Sequence, residues 1–143
     1  MAAGEGACGG ELGLLLSRRL GRRFKGGIVA YSNAAKAELL GVSPELIATA
    51  GAVSPEVARA MARGARRLFG ADWGVAETGI AGPQTGRRSP KPAGLAYLAV
   101  SGPVERVVEV RTGRGRRAAN RRAFARAALG LLLAVWEEAQ QSG

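Results

Sequence analysis

Gly27-Ile28-Val29-Ala30-Tyr31-Ser32-Asn33-Ala34-Ala35-Lys36 constrains this chain more than any other stretch. Ile28 to Tyr31 is a short apolar run with β-branched residues and predicts a buried strand. Ser32 is a helix N-cap residue, and Asn33 to Leu40 is rich in helix formers. A strand that runs straight into a helix N-terminus leaves backbone N–H groups free, and these attract anions. Ser32 and Asn33 are therefore candidate binding positions. Lys36 sits near that N-terminus, where a cation opposes the macrodipole by roughly 0.3–1 kcal/mol. Of 21 basic residues only Lys25, Lys36 and Lys91 are lysine; the rest are arginine. Lysine at an awkward place in an arginine-rich chain points to lysine chemistry, because burial can strip its proton and arginine keeps its own. The plain alternative is a solvated helix lysine.

The same pattern of strands and helices continues. Glu11 to Leu20 is a helix with an acidic start and a basic end. Ser43-Pro44-Glu45 and Ser54-Pro55-Glu56 are two helix starts with proline at the first position, ending at Gly51 and Gly70. Trp73 to Glu77 reads as a strand. Thr78-Gly79-Ile80-Ala81-Gly82-Pro83 follows, then a loop through Gly86, Arg87, Arg88 and Lys91 to Pro92, long enough to carry function. Gly94 to Ser101 and Val104 to Thr112 form a hairpin about Gly102-Pro103, and Arg116 to Gln141 is a closing helix. Strands separated by helices predict an α/β domain with helices on both faces of a mixed sheet. At 143 residues this is one domain, spanning 1–143. Met1 to Gly10 reads only as a small, Gly-rich start.

Composition removes several chemistries. There is no His, so no Ser-His-Asp triad and no His-ligated metal. Cys8 is the single cysteine, which excludes an internal disulfide. Asp72 is the only Asp and the Glu residues are scattered, which argues against a carboxylate metal cage. No cofactor is expected. No apolar run approaches the ~18 residues of a membrane span, and no signal peptide is apparent, so a cytoplasmic protein without membrane contact is expected. The net charge of +10 favours anionic partners. No nucleic-acid motif accompanies it, and Ala, Gly and Arg abundance also follows from a GC-rich genome, so nucleic acid is not the expected partner. Of the seven arginines between Arg111 and Arg126, some are candidate phosphate ligands and most read as the solvated face of the last helix.

Three small-residue turns are candidate cradles for phosphate or an oxyanion: Gly9-Gly10, the Ser32 junction, and Thr78 with Gly79, Ala81 and Gly82. Each is weak alone. Convergence at the carboxyl ends of strands, the usual ligand edge of an α/β sheet, would make them one site.

In order and spacing, Gly26 to Lys36, Leu39-Leu40-Gly41-Val42, Gly51 to Glu56, Thr78 to Pro83 and Lys91-Pro92-Ala93-Gly94 resemble the CinA C-terminal domain family, from Glu5 to Trp136. The resemblance implies a three-layer α/β/α sandwich, often a homodimer. It implies amide hydrolysis of a small-molecule pyridine nucleotide, nicotinamide mononucleotide (NMN), to nicotinic acid mononucleotide and ammonia in NAD recycling. It also implies a metal-free Ser nucleophile with Tyr and Lys partners, matched here by Tyr31 and Lys36. Lys91 is a candidate binding residue on the basic content of its loop, Gly79 to Lys91, which an anionic ligand is expected to order. The family's preceding helix and first strand are expected to be missing before Met1. Where the family has Glu-Ser-Cys-Thr-Gly-Gly, this chain has Glu5-Gly6-Ala7-Cys8-Gly9-Gly10, so Gly6 stands in the nucleophile's place. Arg116 likewise stands in the Asp place of a Gly-Asp-Arg pattern. Either the chain is a non-hydrolysing nucleotide-binding paralogue, or Cys8 or Ser32 has taken over. Cys8 is the first candidate, since a helix N-terminus would lower its thiol pKa.

Overall fold

The computed structural model describes residues 1–83 and 90–142. Five strands form one mixed sheet: β1 (Ala2–Glu5), β2 (Gly26–Val29), β3 (Gly74–Gly79), β4 (Leu95–Ser101) and β5 (Arg106–Arg111), in the spatial order β2-β1-β3-β4-β5. β1 is parallel to both β2 and β3, and β4 is antiparallel to β3 and β5. Helices α1 (Glu11–Leu20) and α5 (Arg117–Ser142) cover one face. Helices α2 (Asn33–Leu40), α3 (Pro44–Ala50) and α4 (Pro55–Leu68) cover the other. This is the three-layer α/β/α arrangement with a mixed sheet.

The Gly-rich start holds a strand that its composition conceals. Ala2 and Ala3 are fully buried in β1, at the centre of the parallel part of the sheet. A strand buried on both faces answers to packing more than to β-propensity. Here packing demands small residues: a Cβ on Gly4 would lie 2.9 Å from Leu40 Cδ1 and 3.4 Å from the Met61 carbonyl oxygen.

The strand expected at Ile28–Tyr31 begins two residues earlier and is not buried. As β2 it pairs with β1 alone, so its outer side is open and Val29 is 48% exposed. The three Ser helix starts form as expected. Ser32, Ser43 and Ser54 accept hydrogen bonds from the N–H groups of Ala35, Leu46 and Val57 at 3.1, 3.3 and 3.2 Å. Among the described residues, no helix is long and apolar enough to cross a membrane.

Candidate functional site

The carboxyl ends of β1, β2 and β3 meet at one edge, where Gly6, Ala30 and the segment after Gly79 leave the sheet. Glu5 and Glu77 are register partners on β1 and β3. Strand alternation sends both side chains to the face that carries Ala3 and Val75, beneath α1 and α5. Glu5 is 2% exposed and Glu77 fully buried.

Each carboxylate organises a turn. Glu5 Oε1 accepts from the N–H groups of Gly10 and Leu12 at 2.8 and 3.1 Å, and its Oε2 from Gly13 N–H at 2.8 Å. It thereby fills the N-terminus of α1, and Gly9 N–H donates to the Gly6 carbonyl at 3.2 Å. The Gly9-Gly10 cradle anticipated for a ligand phosphate is occupied by the protein's own carboxylate. Glu77 Oε1 accepts from Gly6 N–H at 3.0 Å and Cys8 N–H at 2.9 Å, which pins the Gly6–Cys8 turn. Its Oε2 makes no hydrogen bond among the described residues. Burial pushes the Glu77 carboxyl above the ordinary range, against the pull of the Cys8 and Gly6 N–H groups.

Lys36 is also buried here, 4% exposed. From the first turn of α2 its chain folds back under the end of β2. Nζ donates to the Ala30 carbonyl at 2.9 Å and to the Tyr31 carbonyl at 3.4 Å. Burial lowers its pKa, and the charge of Glu77 opposes that shift. The solvated-lysine alternative is thus excluded. A Cβ placed on Gly6 would lie 3.6 Å from Lys36 Nζ and 3.5 Å from the Glu77 carbonyl oxygen, both ordinary contacts. Gly6 lies outside the positive-φ region, so its backbone accepts any side chain.

Tyr31 accepts from Lys36 through its backbone carbonyl. Its side chain is 56% exposed, its hydroxyl accepting a hydrogen bond from Arg117. Ser32 is exposed and its Oγ is committed to capping α2. Asn33 is the exposed first residue of that helix.

Cys8 reverses its expectation. Its side chain is fully buried, with Sγ 3.6 Å from the Arg121 carbonyl oxygen. Burial first, then the charge of Glu77, push its thiol far up instead of down. The α1 N-terminus that was to favour a thiolate is already neutralised by Glu5.

The third turn is also held internally. Thr78 is buried and donates to the Ala52 carbonyl at 2.6 Å. Lys91 donates to the Val53 carbonyl and lies 6.0 Å from the Tyr97 ring centroid. These two side chains, expected on a ligand, tie down the segment between α3 and α4. Gly79 ends β3 where a Cβ would come within 2.8 Å of the Leu95 carbonyl oxygen. Asn120 Nδ2 donates to the Ala81 carbonyl at 2.8 Å, and Gly82 has φ +83° against the Gly115 backbone. Gly86, Arg87 and Arg88 of the anticipated loop lie outside the described residues. Among the described residues, no group of three His, Cys, Asp or Glu side chains gathers as a metal site.

The structural roles of the two glutamates and of Asn120 went unnoticed in the sequence. One signal was available: Glu5 stands immediately before a glycine-rich turn, and Glu77 two residues before Gly79.

The CinA C-terminal domain profile matches residues 1–136. The chain belongs to the CinA C-terminal domain family. This CinA domain is 49% identical over 134 residues to a CinA-like protein of Anaeromyxobacter sp. (strain K), covering 92% of this chain and 33% of that relative. It is 50% identical over 101 residues to a CinA-like protein of Prochlorococcus marinus (strain MIT 9313), covering 69% and 23%. The chain thus spans about a third or less of the length of these relatives. Among solved structures, the competence/damage inducible protein CihA from Agrobacterium tumefaciens superposes with a TM-score of 0.86 at 38% identity, covering 93% of this chain and 82% of that one. The competence damage-inducible protein A (ComA) from Klebsiella pneumoniae gives 0.84 at 28% identity, covering 92% and 82%.

Proposed function

We propose that this CinA domain binds a pyridine nucleotide of the NMN class and keeps the amide-hydrolysing arrangement without its nucleophile. The observation that carries the reading is the place of Gly6. A hydroxymethyl group there would stand beside Lys36 Nζ, 3.6 Å from the Cβ position. With a serine at that point, Oγ attacks the nicotinamide carboxamide carbon and its proton passes to the Lys36 amine. The proton then leaves with the amine as ammonia, and water cleaves the resulting ester to nicotinic acid mononucleotide. Burial of Lys36 favours the free amine that this transfer requires. In the chain as it stands, water must attack directly. Binding and electrostatic contacts alone leave roughly 10³–10⁴-fold acceleration over water in a well-studied protease, so the residual rate is low.

Gly6 itself favours a second reading, in which the domain binds the nucleotide and does not hydrolyse it. Calorimetric titration with NMN, paired with ammonia release from the same sample, separates the two. Binding with slow ammonia release supports the amidase reading, and binding with release at the uncatalysed rate supports the second. No binding at millimolar NMN refutes both.

A further inference from the structure

The candidate site uses the carboxyl ends of the parallel strands. At the other end of β3, Gly74 pairs with Ser101, the last residue of β4. There the close of α4 borders a cleft of about 440 Å³, whose lining includes Arg63, Arg66, Arg67, Ala71, Ser101 and Glu105 and, among the described residues, no aromatic ring. Arg63 stands three and four residues before Arg66 and Arg67, so the three share one side of α4.

The acceptors of this cleft are spent. At the end of α4 the Ala65, Arg66 and Arg67 carbonyls take the N–H groups of Phe69, Ala71 and Gly70. The Gly70 carbonyl takes Lys25 Nζ at 3.3 Å, and the Ala71 carbonyl takes Arg66 Nε at 3.4 Å. Glu105 takes Arg63 Nε and Nη2 at 2.8 and 2.6 Å and the Ser101 hydroxyl at 3.2 Å.

The donors are not spent. Among the described residues, the two terminal nitrogens of Arg66 make no hydrogen bond, and neither does the Arg67 side chain. Arg66 is half-buried and tethered. Nε is tied to Ala71, and its Cβ lies 3.0 Å from where a Cβ on Gly74 would stand, so its stem lies along the start of β3. Arg67 carries its guanidinium to Gly41, Nη2 lying 2.8 Å from the Cβ position there, and adds charge beside the cleft. The macrodipole of α4 favours cations in its last turn, which explains their sign. It does not explain a tethered, half-buried fork with unmade bonds in a concave place.

Spare donors, satisfied acceptors and three guanidiniums against one carboxylate select an acceptor-rich anion. We propose that this cleft binds a phosphate-class dianion, with the end-on fork of Arg66 bonding two of its oxygens. Arg63 masks the Glu105 carboxylate, which would otherwise repel the ligand. With no ring to stack a base, recognition stops at the phosphate group, free or as the monoester of a small molecule. This second anion site lies at the far end of the sheet from Gly6 and stands independently of the nucleotide reading.

The test titrates orthophosphate and ribose 5-phosphate, at constant ionic strength, into the full chain and into Arg66→Met, Arg66→Lys and Arg126→Met. Two-dimensional amide NMR follows Gly70, Ala71 and Ser101, and the spectrum itself reports whether each variant is folded. Arg66→Lys keeps the stem and the charge but loses the fork. The site predicts saturable shifts at these amides in the wild type. The dissociation constant should rise at least about tenfold in both Arg66 variants, the loss expected for a charge-assisted contact. Arg126→Met removes an exposed arginine of α5, in the opposite layer, and should leave the curve unchanged. Shifts by orthophosphate alone, by the ester alone or by both identify the accepted form, and each supports the proposal. No saturable shift at these amides with either ligand at millimolar concentration overturns it. So do equal curves for the wild type and a folded Arg66 variant, or a loss in Arg126→Met as large as in Arg66→Met, which would mark diffuse charge.

Discussion

Lys36→Met should change the pH dependence of stability in a direction fixed by the fold. Lys36 Nζ satisfies two carbonyls, Ala30 and Tyr31, at a position 4% exposed. Removing it orphans both, at a cost of about 1–3 kcal/mol for a buried polar group left unmade, reduced where water enters. That part does not vary with pH. The second part does. Burial lowers the folded-state pKa of Lys36 below the ordinary 10.5, so between those two values the unfolded chain holds the extra proton. Wild-type stability therefore rises with pH from the lowered value up to 10.5, and the variant lacks this gain. The destabilisation caused by Lys36→Met should grow as pH increases through that window. Urea unfolding of both proteins at closely spaced alkaline pH values measures it, since the difference cancels groups that titrate alike in both. Parallel stability curves would refute the claim that the fold holds Lys36 toward its neutral form.

Two further outcomes follow from the glutamate-built turns. Glu5→Gln should cost about 2–4 kcal/mol in chemical unfolding, because an amide must turn a donor toward one of three N–H groups the carboxylate now accepts from. Cys8 should resist iodoacetamide in the native protein at neutral pH and react on unfolding, given its burial and raised pKa; prompt native labelling would contradict the geometry.

The hairpin, the closing helix and all three Ser-capped helices were legible, because turn chemistry and capping are local. Ser54-Pro55-Glu56 announces α4 with no help from the rest of the chain. β1 was not legible. Its four residues, Ala-Ala-Gly-Glu, lack every propensity signal, and the glycine among them is dictated by Leu40, Met61 and Ala65 across the layer. The site divides the same way. Lys36 stood out because lysine is rare here, and its burial agrees with a use beyond surface charge. Thr78 and Lys91 looked like ligand contacts because small-residue turns and cations suit anions. Three-dimensional packing gives them the Ala52 and Val53 carbonyls instead. Cys8 misled because the field of a helix N-terminus was counted without the carboxylate that fills it. Glu5 and Glu77 are distant in sequence and become neighbours only through the parallel pairing of β1 with β3.

In the proposed hydrolytic site one side chain is missing, at Gly6 beside Lys36. A serine there keeps ordinary contacts with Lys36 and the Glu77 backbone, so the variant should fold. The direct measurement is ammonia release from NMN by the wild type, Gly6→Ser, and Gly6→Ser combined with Lys36→Met. Losing the nucleophile of a serine protease costs about 10⁶-fold in kcat, so restoring one in a prepared site should raise turnover by at least about 10²-fold. The added Lys36→Met should return the rate to the wild-type level. A folded Gly6→Ser protein that binds NMN yet releases ammonia no faster than the wild type would contradict a site lacking only its nucleophile.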